Sequence, residues 1–322
     1  MRARQSILVE PMRLLTVRHI TAYRYKQAVS FGEHRMMLRP RDSYDQKLIE
    51  ARLQITPEPA ALRWVHDVFG NCVAIARFSG RATELCFDST IRLDHSPSNE
   101  LEFQIEDHAK TYPFSYGSEE SPDLLRSIER QYLDSARDVD RWARQFLRRQ
   151  GPTDTRDLLA AITRAVHQRF TYVSRQEMGT QDPIETLKLG SGSCRDFAVL
   201  MIEAVRSLGL AARFVSGYLY VPEHGRGGRV GGGATHAWLE VYIPGAGWIE
   251  YDPTNGVVGN RDLIRVAVVR DARQAVPLSG TWTGFPSDFL GMDVTVSVTS
   301  EQTSEVTRSP DTTDIKRSVR IS

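Results

Sequence analysis

The 322-residue chain has no apolar run long enough to cross a bilayer, and its basic opening, MRARQSILVEPMRLL, lacks the apolar stretch of a secretory signal. Neither a membrane partner nor export is therefore expected, and the expected compartment is cytoplasmic. Charge of one sign is also missing. Lys and Arg number 41 against 40 Asp and Glu, a formal net charge of +1, with both signs interspersed, which gives no case for nucleic acid or an anionic membrane as partner. Cysteine is scarce. Three residues, Cys72, Cys86 and Cys194, cannot build a disulfide framework. The histidines show no metal-ligand spacing with cysteine and no acidic loop suggests calcium, so no metal and no cofactor is expected. There is no internal repeat. The glycine-rich segment Gly225–Gly233 lacks the Gly-Lys-Ser/Thr ending of a phosphate-binding loop and leads into a strand, so it reads as a loop beside a site.

What is present changes period along the chain. From Leu14 to about His95, short alternating stretches such as Leu15–Ile20, Leu48–Ile55, Cys72–Phe78 and Thr83–Phe87 are punctuated by Gly, Pro, Asn and Asp. This predicts a β-sandwich over 12–95. Met12 opens the first strand, so residues 1–11 read as an extension or a misplaced start. Residues 96–150 read as a linker or strap followed by charged sequence of helical spacing, with Leu124, Leu125, Ile128, Tyr132, Trp142 and Phe146 as its apolar positions. Thr155–Phe170 is a second amphipathic helix inside a core over 151–275. Residues 276–322 form a C-terminal extension, its Ser-, Thr- and charge-rich tail beyond Ser300 disordered by composition. The fold class is α+β.

The chemistry concentrates in that core. In Gly190-Ser191-Gly192-Ser193-Cys194-Arg195-Asp196-Phe197 a cysteine opens a helix whose apolar residues Phe197, Leu200, Met201, Ala204, Val205 and Leu208 recur at three- and four-residue steps before Gly209. Ser193 and Asp196 resemble a capping box. A thiol in a first helical turn feels unpaired N–H groups and the positive end of the macrodipole, both of which favour thiolate. The competing reading is a small buried core residue. Downstream, Thr235–Ile243 reads as a strand, Pro244–Gly247 as a turn and Trp248–Pro253 as the returning strand. Cys194, His236 and Asp252 then stand in the order nucleophile, base, orienting acid. Asp252 lies an even number of positions after His236. Pairing Ile243 with Trp248 across a four-residue loop would put the two side chains on opposite faces, so the triad demands a three- or five-residue loop or a bulge.

These blocks resemble the transglutaminase-like superfamily, whose core is papain-like. The resemblance rests on GSCRDFAVLMIEAVRSLGLAARFVSGYLY, THAWLEVYIPGAGWIEYDPTN and FTYVSRQ, over roughly residues 155 to 260; upstream, LLTVRHITAYRYKQAVSFGEHRMMLRPR is similar to the bacterial transglutaminase-like N-terminal β-domain. It implies a Cys-bearing helix packed on an antiparallel sheet, with Cys194 as nucleophile, His236 as base and Asp252 as orienting acid. The implied activity is cysteine-dependent acyl transfer on a peptide or protein amide substrate through a thioester. Water as acceptor makes a cysteine protease or amidase, the favoured reading. A lysine amine makes a protein-glutamine gamma-glutamyltransferase, and loss of the chemistry makes a binding module. The Cys194 N–H is one expected oxyanion donor, and Thr171-Tyr172-Val173 the expected source of a second, with Tyr172 its candidate. Two departures stand out. Arg195 occupies a position where many members carry Gln and is expected to alter substrate charge preference; DARQAVPLSGTWTG from Asp271 is a looser version of the family's next segment, leaving the core's C-terminal boundary open. Trp238, beside the base, reads as core packing ahead of substrate stacking, for which it is the candidate. Cys72 and Cys86 read as reduced structural residues.

Overall fold

The computed structural model describes residues 13–96, 103–175, 179–222 and 230–301. The expectations for residues 1–11, for most of the glycine-rich loop (223–229) and for the tail beyond 301 lie outside the described residues. Among the described residues, no helix is long and apolar enough to cross a membrane, and no group of three or more His, Cys, Asp or Glu could hold a metal ion.

The N-terminal domain is organised by one long strand, Arg13–Arg39. Its buried positions run in odd numbers through Leu15, Val17, His19 and Thr21 and in even numbers through His34, Met36 and Leu38. The change of phase falls at an irregularity between Phe31 and His34. The first half of the strand pairs with Arg81–His95 on one side and Phe289–Glu301 on the other; the second half pairs with Cys72–Arg77 and Leu278–Thr283. Gln46–Thr56 and Ala61–His66 extend the edges, so seven strands form one sheet. It curls around a core of Tyr25, Val29, Phe31, Met36, Leu85 and Phe87. The two halves thus enclose a core as a sandwich does while sharing one strand. Within residues 276–322, read as a C-terminal extension, Leu278–Thr283 and Phe289–Glu301 return to the N-terminal sheet.

In the second domain, helix Cys194–Ser207 packs on a five-stranded antiparallel sheet. The strand order is Val257–Val258, Gly247–Asp252, His236–Ile243, Ala212–Leu219, Leu263–Val269. Ala237, Leu239, Val241 and Ile243 share a core with Phe197, Leu200, Met201 and Ala204 of the helix, as period-two and helical alternation require. Thr155–Arg169 and Asp138–Arg144 complete that core. The helical spacing over 121–149 does not give one helix. It breaks into Ser121–Ile128 and Asp138–Arg144. The break turns the Gln131 and Tyr132 N–H groups and the Arg130 guanidinium onto the fully buried Glu203 carboxylate, adding to the Arg206 Nη1 donor at 3.2 Å on its own helix.

The opposite face of the sheet receives the N-terminal domain. Leu15, Val17, Ile91 and Leu93 meet Tyr218, Ile264 and Val266 in a shared apolar layer. The outer strand Leu263–Val269 has a free edge, and two amide side chains close it. Gln46 donates to the Arg265 carbonyl (2.9 Å) and accepts from its N–H (3.0 Å); Asn71 does the same to Val268 (2.9 Å each way). A carboxamide carries one donor side and one acceptor, as a strand neighbour does. His19 reaches across the layer, its Nδ1 2.9 Å from the Tyr218 hydroxyl and its Nε2 2.9 Å from Thr21 Oγ1.

Two expectations follow. Gln46→Ala removes both side-chain partners of a part-buried backbone donor and acceptor, and an expected loss of about 1 kcal/mol in urea unfolding checks the edge role; an unchanged midpoint refutes it. Burial lowers the His19 pKa from 6.5 to about 4. The unfolded chain therefore takes up this proton near pH 6.5 and the folded one only near 4, so the contribution is complete above the upper value and is lost as pH falls through the window. The loss amounts to about 3 kcal/mol by acid, and His19→Gln is expected to flatten that part of the stability–pH curve.

Candidate active site

The nucleophile candidate is fixed at the start of its helix by a carboxylate. Asp196 is fully buried; its Oδ2 accepts from the Ser193 N–H and hydroxyl (2.8 Å each), and its Oδ1 accepts from the Gln181 N–H (2.7 Å) and Arg175 Nη1 (3.0 Å). Gly192 makes this approach possible, since a Cβ there would stand 2.9 Å from the Asp196 Cβ. Cys194 sits one residue into this turn, 7% exposed, where helix N–H groups have no intrahelical acceptor.

The base and acid come from the hairpin. Ile243 pairs with Gly247, leaving a three-residue loop, and the register places Leu239 opposite Tyr251 and Glu240 opposite Glu250. Extended by the same pairing, Trp238 falls opposite Asp252, so His236 and Asp252 share one face. Their side chains meet: His236 Nε2 lies 2.8 Å from Asp252 Oδ2, and each residue is 1% exposed. The carboxylate is further held by the Thr254 N–H (2.9 Å) and Asn255 N–H (3.3 Å) at Oδ1 and by Asn255 Nδ2 (2.7 Å) at Oδ2. Burial works to lower the His236 pKa, but the Asp252 carboxylate outweighs it and Cys194 adds in the same direction, raising it to about 10. Burial works to raise the Asp252 pKa, and His236 with the Asn255 donors overcomes it, leaving it below the usual carboxylate range. With Nε2 committed to Asp252, Nδ1 is the ring nitrogen open to Cys194. It is buried and has no hydrogen bond among the described residues. Cys194, His236 and Asp252 are therefore brought together with the acid behind the base.

The remaining candidates fall differently. Tyr172 lies in a two-residue parallel ladder, opposite Gly192. Burial raises its pKa, and Cys194 and Asp196 act on it in the same direction, which places it beside the nucleophile. Thr171 and Val173 donate their N–H groups to the Gly190 and Gly192 carbonyls, so these two cannot serve as oxyanion donors without breaking the ladder. The expectation for Arg195 is corrected. Its guanidinium turns inward, donating to the carbonyls of Ala272 (2.6 Å) and Ala275 (3.2 Å) and lying 4.8 Å over the Phe214 ring. Its charge ties the segment after the sheet to the cysteine helix rather than facing a substrate. Trp238 follows the core-packing reading: fully buried among Val215, Leu219 and Leu263, it stacks on His236 at 28° and 5.9 Å between centroids. It forms a wall behind the imidazole and has no open face for stacking a ligand. Asn255 was not among the residues singled out from the sequence. The signal available was its place two residues after Pro253, in the turn where Asn side chains commonly bond nearby backbone.

Residues 141–253 match the family model described as the transglutaminase-like superfamily, and residues 15–94 that of the bacterial transglutaminase-like N-terminal region. An uncharacterized protein of Mycobacterium tuberculosis is 32% identical over 278 residues, covering 82% of this chain and 86% of that protein. A protein-glutamine gamma-glutamyltransferase of Pseudomonas aeruginosa is 29% identical over 125 residues, 35% of this chain and 18% of that one. Among solved structures, the "Putative Cysteine Protease from Cytophaga hutchinsonii" superposes with a TM-score of 0.68 at 19% identity, covering 92% of this chain and 93% of its own. With the two family segments in order, and with that Mycobacterium protein matched over most of both chains, this chain belongs to the transglutaminase-like superfamily, with a bacterial transglutaminase-like N-terminal region ahead of the core.

Proposed function

We propose that the protein is a cysteine-dependent acyl-transfer enzyme that cleaves amide bonds through a thioester on Cys194. The observation that carries this reading is the buried His236–Asp252 pair set against a cysteine in a first helical turn. His236 accepts the thiol proton at Nδ1 while Asp252 supports the imidazolium through Nε2. The thiolate sulfur attacks the amide carbon. The carbonyl electron pair moves to oxygen, where the Cys194 N–H is one donor and Tyr172 the proposed second. Collapse returns that pair to carbon and expels the amine, which takes its proton from His236. The acceptor then gives its proton to the same nitrogen as it attacks the thioester, and the thiol leaves. Water is the proposed acceptor: with Cys194 and His236 almost wholly covered, it is the nucleophile that needs least opening to reach the thioester. Transamidation to a lysine amine is the second reading, favoured by the partial likeness to the Pseudomonas gamma-glutamyltransferase.

Cys194→Ala is expected to abolish turnover with an unchanged melting profile, and His236→Ala to leave almost none. Asp252→Asn is expected to retain a residue of activity, because the acid orients without moving a proton. The check that needs no substrate is the pH dependence of Cys194 alkylation by iodoacetamide, followed by mass mapping. The wild type is expected to react well below the ordinary thiol range, and both His236→Ala and Asp252→Asn to lose that low-pH limb. An ordinary free-thiol profile, unaltered by either substitution, would refute the enzyme reading in favour of a binding module. The acceptor is decided by incubating casein with the enzyme and a biotinylated primary amine. Casein fragments or free acid without label are the expected products, and amine incorporation would make the protein a transglutaminase.

A further inference from the structure

Two anchors hold Val230–Gly233, the described end of the glycine-rich segment. At one end the Val230 N–H donates to Asn255 Oδ1 (2.9 Å) and the Val230 carbonyl accepts from Asn255 Nδ2 (3.1 Å). At the other, the Gly233 carbonyl accepts from the Val296 N–H (3.3 Å) in the returning C-terminal strand. Between the anchors Gly231 is pressed onto the imidazole: its φ is +104°, and a Cβ there would lie 2.6 Å from His236 Nδ1 and 3.2 Å from Cε1. The same Asn255 Nδ2 that holds Val230 also donates to Asp252 Oδ2 at 2.7 Å, the oxygen that binds His236 Nε2. One carboxamide, with two N–H donors and one acceptor, therefore joins the orienting acid to the backbone lying over the base.

We propose that Asn255 is a positioning residue that couples Asp252 to the Val230–Gly233 backbone and holds the bare Gly231 as a roof over His236. The inference rests on the Cys194–His236 reading given above. In it, Asn255 and Gly231 are one device. Asn255 fixes where the backbone lies, and the absence of a side chain at 231 lets it lie there without displacing Nδ1 from the thiol. Water kept from the ring leaves the pair of opposite charges unscreened. Alanine at 255 removes the donors and the acceptor; aspartate keeps the shape and the acceptor for Val230 but replaces Nδ2 by an oxygen facing the Asp252 carboxylate.

The test uses the full chain and the rate of Cys194 alkylation by iodoacetamide across pH, with a thermal melt for each variant. Asn255→Ala is expected to slow alkylation at pH 6 about tenfold, the scale of one lost hydrogen bond to a charged group, while leaving the rate at pH 10 unchanged. Gly231→Ala is expected to slow it at least as much, because its Cβ meets Nδ1. The combined variant is the discriminating measurement. With the tether gone, the segment bearing the added methyl group can move off the ring, so the double variant is expected to match Asn255→Ala alone. Losses that multiply would overturn the proposal. Should Asn255→Ala not fold, Asn255→Asp takes its place with the same low-pH loss expected, and a wild-type profile in that variant would overturn the proposal too. An ordinary thiol profile in the wild type itself would instead refute the underlying enzyme reading. A low-pH limb in the wild type with independent losses in the variants removes only the role of Asn255.

Discussion

The site depends on one pairing, that of Ile243 with Gly247. Because side chains alternate along a strand, a single-residue change in the length of the intervening loop would turn either His236 or Asp252 to the other face of the sheet. If the first strand turned, Glu240 would enter the apolar layer beneath the cysteine helix and Ala237, Leu239 and Val241 would leave it; if the second turned, Glu250 would enter and Tyr251 would leave. Register here is thus fixed twice over. The hydrophobic layer fixes it through the odd-numbered residues of His236–Ile243, and the 2.8 Å contact between His236 and Asp252 is a consequence of the same alignment. The His236–Asp252 contact needs no strained backbone of its own, because the packing that makes the domain fold also delivers the imidazole to the carboxylate.

The N-terminal domain is bound into this arrangement rather than appended to it. Directly opposed Glu240 and Glu250 are both buried, a poor arrangement for two carboxylates in isolation. Burial raises the Glu250 pKa to about 7, Arg265 opposes the rise, and Glu240 adds to it. Arg213 binds Glu240, and Arg265 binds both Glu250 and Asp45 of the N-terminal domain. Gln46 and Asn71 then cap the edge strand on which Arg265 stands. The layer between the domains is therefore apolar in its centre and ionic along one side. Such ion pairs contribute less to net stability than to fixing one relative placement, since their desolvation cost offsets much of their attraction. The C-terminal strand Phe289–Glu301 lies in the N-terminal sheet yet touches Gly233 of the core through Val296, so this returning strand also reaches the segment that roofs the base.

Much of the core was legible because its signals are local. The Cys194 helix, the strands around His236 and Asp252 and the helix from Thr155 follow from periods of 3.6 and 2.0 with glycine and proline at the ends. Parity alone restricted the hairpin loop. The parts that escaped are set by long-range partners. Leu278–Thr283 carries Ser, Gly and Thr in place of clear alternation and becomes a strand because Arg13–Arg39 offers it an edge. The segment after the break at Ile128 finds its partner in Glu203, more than seventy residues away in sequence. Arg195 was misjudged for a comparable reason. Adjacency to the nucleophile in sequence says little about direction, and on a helix the next residue points about 100° away, here toward the Ala272 and Ala275 carbonyls.

Two buried carboxylates organise the site, and the difference between them separates scaffold from chemistry. Asp196 and Asp252 are each almost wholly enclosed and each satisfied by several donors, as a buried charge requires. Around Asp196 the donors are two backbone N–H groups, a serine hydroxyl and an arginine, none of which gives up its proton near neutral pH. Its surroundings are therefore electrostatically constant, and its effect is to hold the first turn of the helix and the Gln181 segment in one place. Around Asp252 one donor is an imidazole, a group whose charge can change during a reaction. The carboxylate is bound most strongly when that ring carries the extra proton, which is the state that the proposed transfer from Cys194 would leave. Against burial, His236 leads the groups that hold Asp252 below the usual carboxylate range, and the Asn255 donors act in the same direction. In the proposed reaction the acid would favour the charge-separated state, and a fixed dipolar environment of this kind is what a proton-transfer step beside a thiol needs.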